Sequence, residues 1–401
     1  MTKPGSKIEW RPLIVWMLSA MIWLSVQAQA DTGTDPARDA TQDLIETQLG
    51  QLEMDQVERY WNELLREYGG YLPGSRAPTL MEMIMGEGLS FGEIIGGLAR
   101  MLFHEILFNG SLMVSIIILT VFSMILETMQ SAFEKNTVSK IAYSISYIVL
   151  IVLAVNSFHV AIGYAREAIE DMIDFMVAMV PLLLTMLAAM GNLVSVSIMH
   201  PLIIFMIHAV GTLIHVIVFP LLFFSAVLHI VSSLSDKYQV THLANFLRSA
   251  SVALLGAFLT VFLGVISVQG ATSAVTDGVT IRTAKYITGN FVPVVGRMFS
   301  DAADTVISAS LLVKNAVGIV GVIIIVLLCA FPAIKILTLA LIYNLSAAIM
   351  QPLGDSPIVT CLQTIGKSMI YVFAALASVG LMFFLAVTIM ITLGNVTVML
   401  R

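Results

Sequence analysis

The chain has 401 residues, of which 58% are hydrophobic and 11% charged, with a formal net charge of −6. A soluble globular domain carries about 25% charged residues, so this chain lacks the polar surface to face water along most of its length, and the bilayer is its solvent. Acidic residues crowd the first hundred positions and no basic patch is present to neutralise phosphates, which argues against nucleic-acid binding.

The chain opens with Lys3, Lys7 and Arg11, then an apolar stretch from Leu13 to Val26, then Ala28-Gln29-Ala30. A basic lead, a core too short to span comfortably and a small-x-small site make a secretory signal over 1–30, expected to be cleaved after Ala30, with an uncleaved anchor as the rival reading. The segment that follows, 31–102, is therefore expected outside the cytoplasm. It begins as a polar lead. From Ile45 apolar residues recur at helical spacing through Leu49, Leu52, Val57, Tyr60, Trp61, Leu64, Leu65 and Tyr68. Gly69-Gly70 ends that amphipathic helix and Leu72-Pro73-Gly74 turns the chain. Two capping boxes follow, Thr79 with Glu82 and Ser90 with Glu93, the second opening a helix through Leu102. This region reads either as a docking module or as a helical cap on the membrane domain.

From 103 to 401 the chain reads as an all-α polytopic membrane domain. Apolar runs long enough to cross fall at 106–126, 141–164, 175–194, 198–232, 250–270, 311–331, 333–351 and 369–397, giving about seven or eight spans. The 198–232 run is either one helix kinked at Pro220 or two segments with a re-entrant turn. Taken as one span, with the N-terminus outside, it places Lys135, Lys140, Lys367 and a polar 271–310 loop inside, with Lys237 and Arg248 outside.

Catalytic motifs fail on inspection. His104-Glu105 starts a metalloprotease-like string, but position 108 is Phe108. Gly366-Lys367-Ser368 resembles the end of a P-loop, but the position of its first glycine is Cys361 and no strand precedes it. The two cysteines, Cys329 and Cys361, lie in or beside apolar runs and read as small buried thiols. No cofactor, metal site or enzymatic activity is expected. Energy for any transport must come from a separate ATPase or an ion gradient.

Two sets of polar residues stand out. His200, His208, His215 and His229 fall within an arc of about 80° on an unbroken helix. They read either as a polar path, joined by Lys335, or as interior histidines bonded to neighbouring helices. Lys335 equally suits a tight bend after Pro332. The 271–310 loop carries Arg282, Lys285, Asn290, Pro293, Asp301 and Asp304, with Lys314 just beyond. That segment is a docking site, a gate dipping into the bundle, or an amphipathic connector on the bilayer surface. Lys314 equally suits a side chain reaching to the interface.

The runs Arg282-Thr-Ala-Lys285-Tyr, Asn290-Phe-Val-Pro293-Val-Val-Gly296, Phe299-Ser300-Asp301-Ala and Leu312-Val-Lys314-Asn315-Ala-Val-Gly318 resemble the stage III sporulation protein AE family. The layout of signal, short acidic helical region with Tyr-Leu-Pro, and multispan domain is similar to that family over nearly the whole chain. Where the family pattern has a second glycine after Val-Val-Gly, this chain has Arg297. The resemblance implies a membrane subunit of a multiprotein, secretion-like channel joining mother cell and forespore during endospore formation. It implies a place in the mother-cell-derived outer forespore membrane. It implies as partners the other proteins of the same set, with ring-forming subunits between the two membranes and a separate ATPase subunit. A non-conducting scaffold anchoring the ring proteins is the alternative. The resemblance brings no catalytic residues.

Overall fold

The computed structural model describes residues 54–71, 78–85, 91–132, 137–234, 240–291, 295–354 and 356–399. The signal at 1–30, the polar lead, the helical spacing from Ile45 to Leu52 and Ser90 of the second capping box lie outside the described residues.

Among the described residues every element is helical. Three helices precede the main bundle: α1 (Asp55–Tyr68), α2 (Leu80–Ile84) and α3 (Phe91–Phe108). Then come α4 (Gly110–Ala132), α5 (Thr137–Ala189), α6 (Leu193–Leu213), a π-helical turn (Ile214–Val218) and α7 (Phe219–Leu234). The chain finishes with α8 (Thr241–Phe291), α9 (Val295–Met350), a 3₁₀ turn (Gln351–Leu353) and α10 (Pro357–Met399).

The amphipathic spacing read from Val57 to Tyr68 is α1, with Val57, Trp61, Leu64 and Tyr68 buried. The first capping box is formed: the Thr79 backbone N–H donates to Glu82 Oε2 at 2.7 Å, and the Glu82 N–H donates to Thr79 Oγ1 at 3.3 Å. The expected span at 106–126 is broken at Asn109, where α3 and α4 meet at a bend of 43°.

Five helical stretches are long and apolar enough to cross a membrane, or six if the bent α3–α4 pair makes one span. Four of the eight expected spans merge in pairs. The runs 141–164 and 175–194 lie on α5, a single helix of 53 residues, and 311–331 and 333–351 lie on α9, a single helix of 56. At 1.5 Å per residue each is about 80 Å long, well over twice the hydrocarbon thickness of about 30 Å. The break expected in α5 came from the charges at 166–174, yet Arg166, Glu167, Glu170, Asp171 and Asp174 are all exposed while Ala165, Ala168, Ile169, Met172 and Phe175 stay buried. One face is polar and the helix continues. Pro332 sits inside α9 without ending it; Phe331 and Ala333 on either side are buried, and tertiary packing outweighs the lost backbone bond. The 198–232 run is one stretch, passing through the π turn with Pro220 at the start of α7.

The long helices align in pairs. Glycines on α10 meet α9 at three heights: Gly366 at Asn344, Gly380 at Cys329, and Gly394 at Lys314. A Cβ at Gly380 would come within 2.6 Å of Cys329 Sγ, so this antiparallel contact needs glycine. Gly321 of α9 faces Met179 of α5 in the same way, and Tyr343 on α9 donates to Ser157 Oγ on α5 at 2.9 Å.

These contacts sort the turns between two ends. At one end the α4 side chain of Met124 meets Gly354, Tyr147 of α5 bonds Ser233 of α7 at 3.0 Å, and Ser232 bonds Thr241 at the start of α8 at 2.6 Å. At the other end the α5–α6 turn places Gly191, with a left-handed φ of 85°, against Ile281 of α8, and Leu393 of α10 lies against Gly270.

The 271–310 segment is thus not a loop. It belongs to α8 and α9, apart from 292–294, which lie outside the described residues. Because each fused pair removes one crossing, Lys367 near the start of α10 sits at the end opposite this segment, not beside it as the charge rule had placed it.

Candidate functional site

The most developed polar constellation is the junction of α1 with α5 and α9. Tyr68 stacks on Phe331 with ring centroids 4.2 Å apart, and Tyr60 meets Phe175 edge-on at 5.7 Å. Trp61 is fully buried and its indole N–H donates to the Pro78 carbonyl at 2.9 Å, tying α1 to the chain before α2. Lys335 of α9 donates to Glu67 Oε1 at 3.3 Å and to the Tyr68 hydroxyl at 3.2 Å. Its ammonium also lies 5.0 Å from the Tyr68 ring centre and 5.3 Å from that of Tyr164. Burial, with the hydrogen bond and charge of Glu67 added, pushes the Tyr68 hydroxyl well above its ordinary value, so it stays neutral. Burial also raises Tyr60, helped by the charges of Asp174 and Asp171.

The outer face of α1 exposes Asp55, Glu58, Arg59, Glu63, Arg66 and Glu67. It continues onto the exposed row Arg166, Glu167, Glu170, Asp171 and Asp174 of α5. Together they make a broad, mainly acidic surface over an apolar contact. The pairing of Arg66 with Glu63 at 3.6 Å is fully solvated and adds little.

The four histidines do not make one interior line. His200 and His208 are exposed on α6. His215 lies in the π turn, with Nδ1 3.6 Å from Glu170 Oε1 and Nε2 buried with no hydrogen-bond partner among the described residues. His229 on α7 bonds the Ser225 carbonyl through Nδ1 at 2.8 Å and Asn245 Oδ1 through Nε2 at 3.1 Å. The π turn adds a residue to the repeat and shifts the register on which the 80° arc depended. Lys335 is joined to α1, not to this row.

Of the other singled-out residues, Arg282 is exposed on α8 and Asp304 half-buried on α9. Lys285 and Asn290 fall on α8 and Asp301 on α9, with side chains outside the described set, and Pro293 lies wholly outside it. Lys314 is completely buried, so it does not reach to the interface, and it donates to the Ile391 carbonyl at 2.6 Å.

Sequence reasoning missed Asp277. Its two carboxylate oxygens accept from the backbone N–H groups of Val194 and Ser195 at 3.0 and 2.9 Å, capping the start of α6 from α8. A lone aspartate in an apolar run was the available signal. Arg248 also went unremarked as a contact; its guanidinium lies 4.9 Å from the Tyr371 ring centre. An apolar groove of about 240 Å³ runs nearby between Leu222, Leu255, Leu259 and Tyr371. Among the described residues no group of three or more His, Cys, Asp or Glu could hold a metal.

The description of stage III sporulation protein AE matches residues 76–394. The chain is 53% identical over 398 residues to the stage III sporulation protein AE of Bacillus subtilis (strain 168), covering 98% of this chain and 100% of that protein. No solved structure matches. The family match covers the bundle from α2 through most of α10, the relative's match extends over α1 as well, and the chain belongs to the stage III sporulation protein AE family.

Proposed function

We propose that this protein is the membrane-embedded subunit of a multiprotein, secretion-like complex joining mother cell and forespore during endospore formation. It sits in the mother-cell-derived outer forespore membrane. It presents the α1–α5 surface to ring-forming partners between the two membranes. It acts by binding and not by catalysis, with energy supplied by a separate ATPase subunit of the set.

The observation that carries this reading is the charged surface made by α1 and the middle of α5. In hydrocarbon, Arg166, Glu167, Glu170, Asp171 and Asp174 would each cost about 2.5–3.5 kcal/mol near the bilayer centre. They belong in water or against a polar partner. The outer face of α5 before them exposes Ile141, Ile145, Ile148, Val149, Val152 and Val160. Twenty residues from 141 to 160 cover about 30 Å, one bilayer. The bilayer then also holds α4, and the rest of α5, with α1 over it, stands on the extracytoplasmic side. That placement puts the ends with Lys140 and Lys367 in the cytoplasm, in accord with the positive-inside rule.

Within such a complex the single chain suits an anchoring role better than a self-contained pore, because the histidine row does not converge on an interior path. The conduit reading keeps one supporting observation, the buried polar groups around Lys314. The test is photo-crosslinking in sporulating cells from residues incorporated at Glu58, Glu63 and Asp174, with Ile148 and Val152 as lipid-facing controls. Protein adducts from the first set and lipid adducts from the second are expected. Lipid adducts from Asp174 and Glu63 would overturn the reading.

A further inference from the structure

The end of the bundle where α5 turns into α6 concentrates buried polar groups that the packing leaves without partners. Of the ten buried side-chain polar atoms that lack a hydrogen-bond partner among the described residues, six belong to Asn192, Ser195, Ser273, Asn315 and Asn395. Their positions come together at one height. Asn192 bonds back to the Leu187 carbonyl, and Leu187 lies against Gly394, the residue before Asn395. Ser195 is held by Asp277, one helical turn beyond Ser273 on α8. Asn315 follows Lys314, whose ammonium occupies the space a Cβ on Gly394 would need.

Lys314 itself is 0% exposed and makes one hydrogen bond, to Ile391. An ammonium has three N–H donors. Among the described residues no carboxylate lies within ion-pair distance of it; Asp277, also buried, spends both oxygens on the start of α6. A buried charge without a partner is strongly destabilising, and each buried polar atom without a hydrogen bond adds a further desolvation cost. Six such atoms beside one such charge are too costly for a dry interior. The unmet atoms mix three amide oxygens, which accept, two serine hydroxyls, which do both, and the Asn192 amide nitrogen, which donates, set beside the two unused donors of Lys314. Water, which both donates and accepts, is the ligand that matches this set.

We propose that this end of the bundle is a water-holding chamber centred on Lys314, walled by α8, α9, α10 and the α5–α6 turn. Water accepts from the Lys314 ammonium and donates to Asn192, Asn315 and Asn395. The chamber rests on the packing alone, so it stands or falls apart from the sporulation reading.

The test uses the full chain in lipid nanodiscs with Cys329→Ala and Cys361→Ala, and single near-isosteric replacements Ser195→Cys, Ser273→Cys and Ser346→Cys. Ser346 is equally buried and unpartnered but lies near the opposite end of α9. The probe is 2-aminoethyl methanethiosulfonate, whose sulfenyl sulfur is attacked by a cysteine thiolate with loss of methanesulfinate, so the reaction requires water at the thiol to ionise it. Ser195→Cys and Ser273→Cys should react at least about tenfold faster than Ser346→Cys. Adding Lys314→Met to Ser273→Cys should slow the reaction several-fold, because the nearby ammonium favours the thiolate. Equal rates at all three positions, in variants that elute as the parent does on size exclusion, would overturn the chamber. So would a rate at Ser273→Cys that Lys314→Met leaves unchanged.

Discussion

α5 and α8 are nearly equal in length, 53 and 51 residues, and both contain stretches apolar enough to cross a membrane. Their outer faces diverge. Past Val160, the exposed residues of α5 are Gly163, Arg166, Glu167, Glu170, Asp171, Asp174, Pro181, Thr185 and Ala189. Over the same height the exposed residues of α8 carry no charge: Val261, Val268, Val275 and Val279 alternate with small residues and with Thr260, Thr272, Thr276 and Thr280, whose hydroxyls bond back to their own helix. Asp277, the one charge between Ser249 and Ile281, is turned inward to cap α6. Two helices that a hydropathy window reads alike therefore meet different surroundings, one water and the α1 cover, the other apolar matter. Average hydropathy finds the helix, and the identity of the exposed residues says what lies beside it.

The sharpest way to break this contrast is to remove what covers α5. Trp61→Ala should destabilise the docking of α1 by about 3–5 kcal/mol, seen as loss of hydrogen-exchange protection over 55–68 while α8 keeps its protection. Next in size, exchanging the two faces separates them. Phe246→Asp, on the exposed face of α8 at the height of the α5 bilayer segment, should cost about 2.5–3.5 kcal/mol of membrane insertion, whereas Glu167→Leu on α5 should change stability by no more than about 0.5 kcal/mol. Thermal unfolding in nanodiscs reads both, and equal costs would erase the distinction. Asp277→Ala, which frees two backbone donors at the start of α6, should cost about 1–2 kcal/mol. Lys335→Ala should cost about 1 kcal/mol or less, since its Glu67 partner is half-exposed and the aromatic contacts are partly solvated. A much larger loss there would make the lysine, and not the Trp61–Tyr68 apolar face, the anchor of α1.

Much of the fold was legible in the sequence. Val57, Trp61, Leu64 and Tyr68 predicted α1, Thr79 and Glu82 predicted the capped start of α2, and the apolar runs predicted the spanning helices. What was not legible was their continuity. The charges at 166–174 and Pro332 both look like breaks in a linear chain. Only packing shows that the first group lies on one exposed face and that the second is buried among neighbours. The π turn was equally invisible, so the histidine row appeared straighter than it is. At the α1 junction, Lys335 was noticed as a costly charge, but Glu67 lies 268 positions away and no spacing rule links them. Lys314 was noticed for the same reason, and the asparagines and serines around it come from four separate stretches of chain.

The central claim is that α5 and α9 each cross once, so that the turns sort to two ends as the contacts place them. Single cysteines at Gln130, His242, Lys367, Asn290 and Met399, probed in cells with a membrane-impermeant maleimide, test it directly. The account predicts that Asn290→Cys and Met399→Cys label from outside, while Gln130→Cys, His242→Cys and Lys367→Cys label only after the membrane is opened. Labelling of Asn290→Cys together with Lys367→Cys from the same side would contradict it.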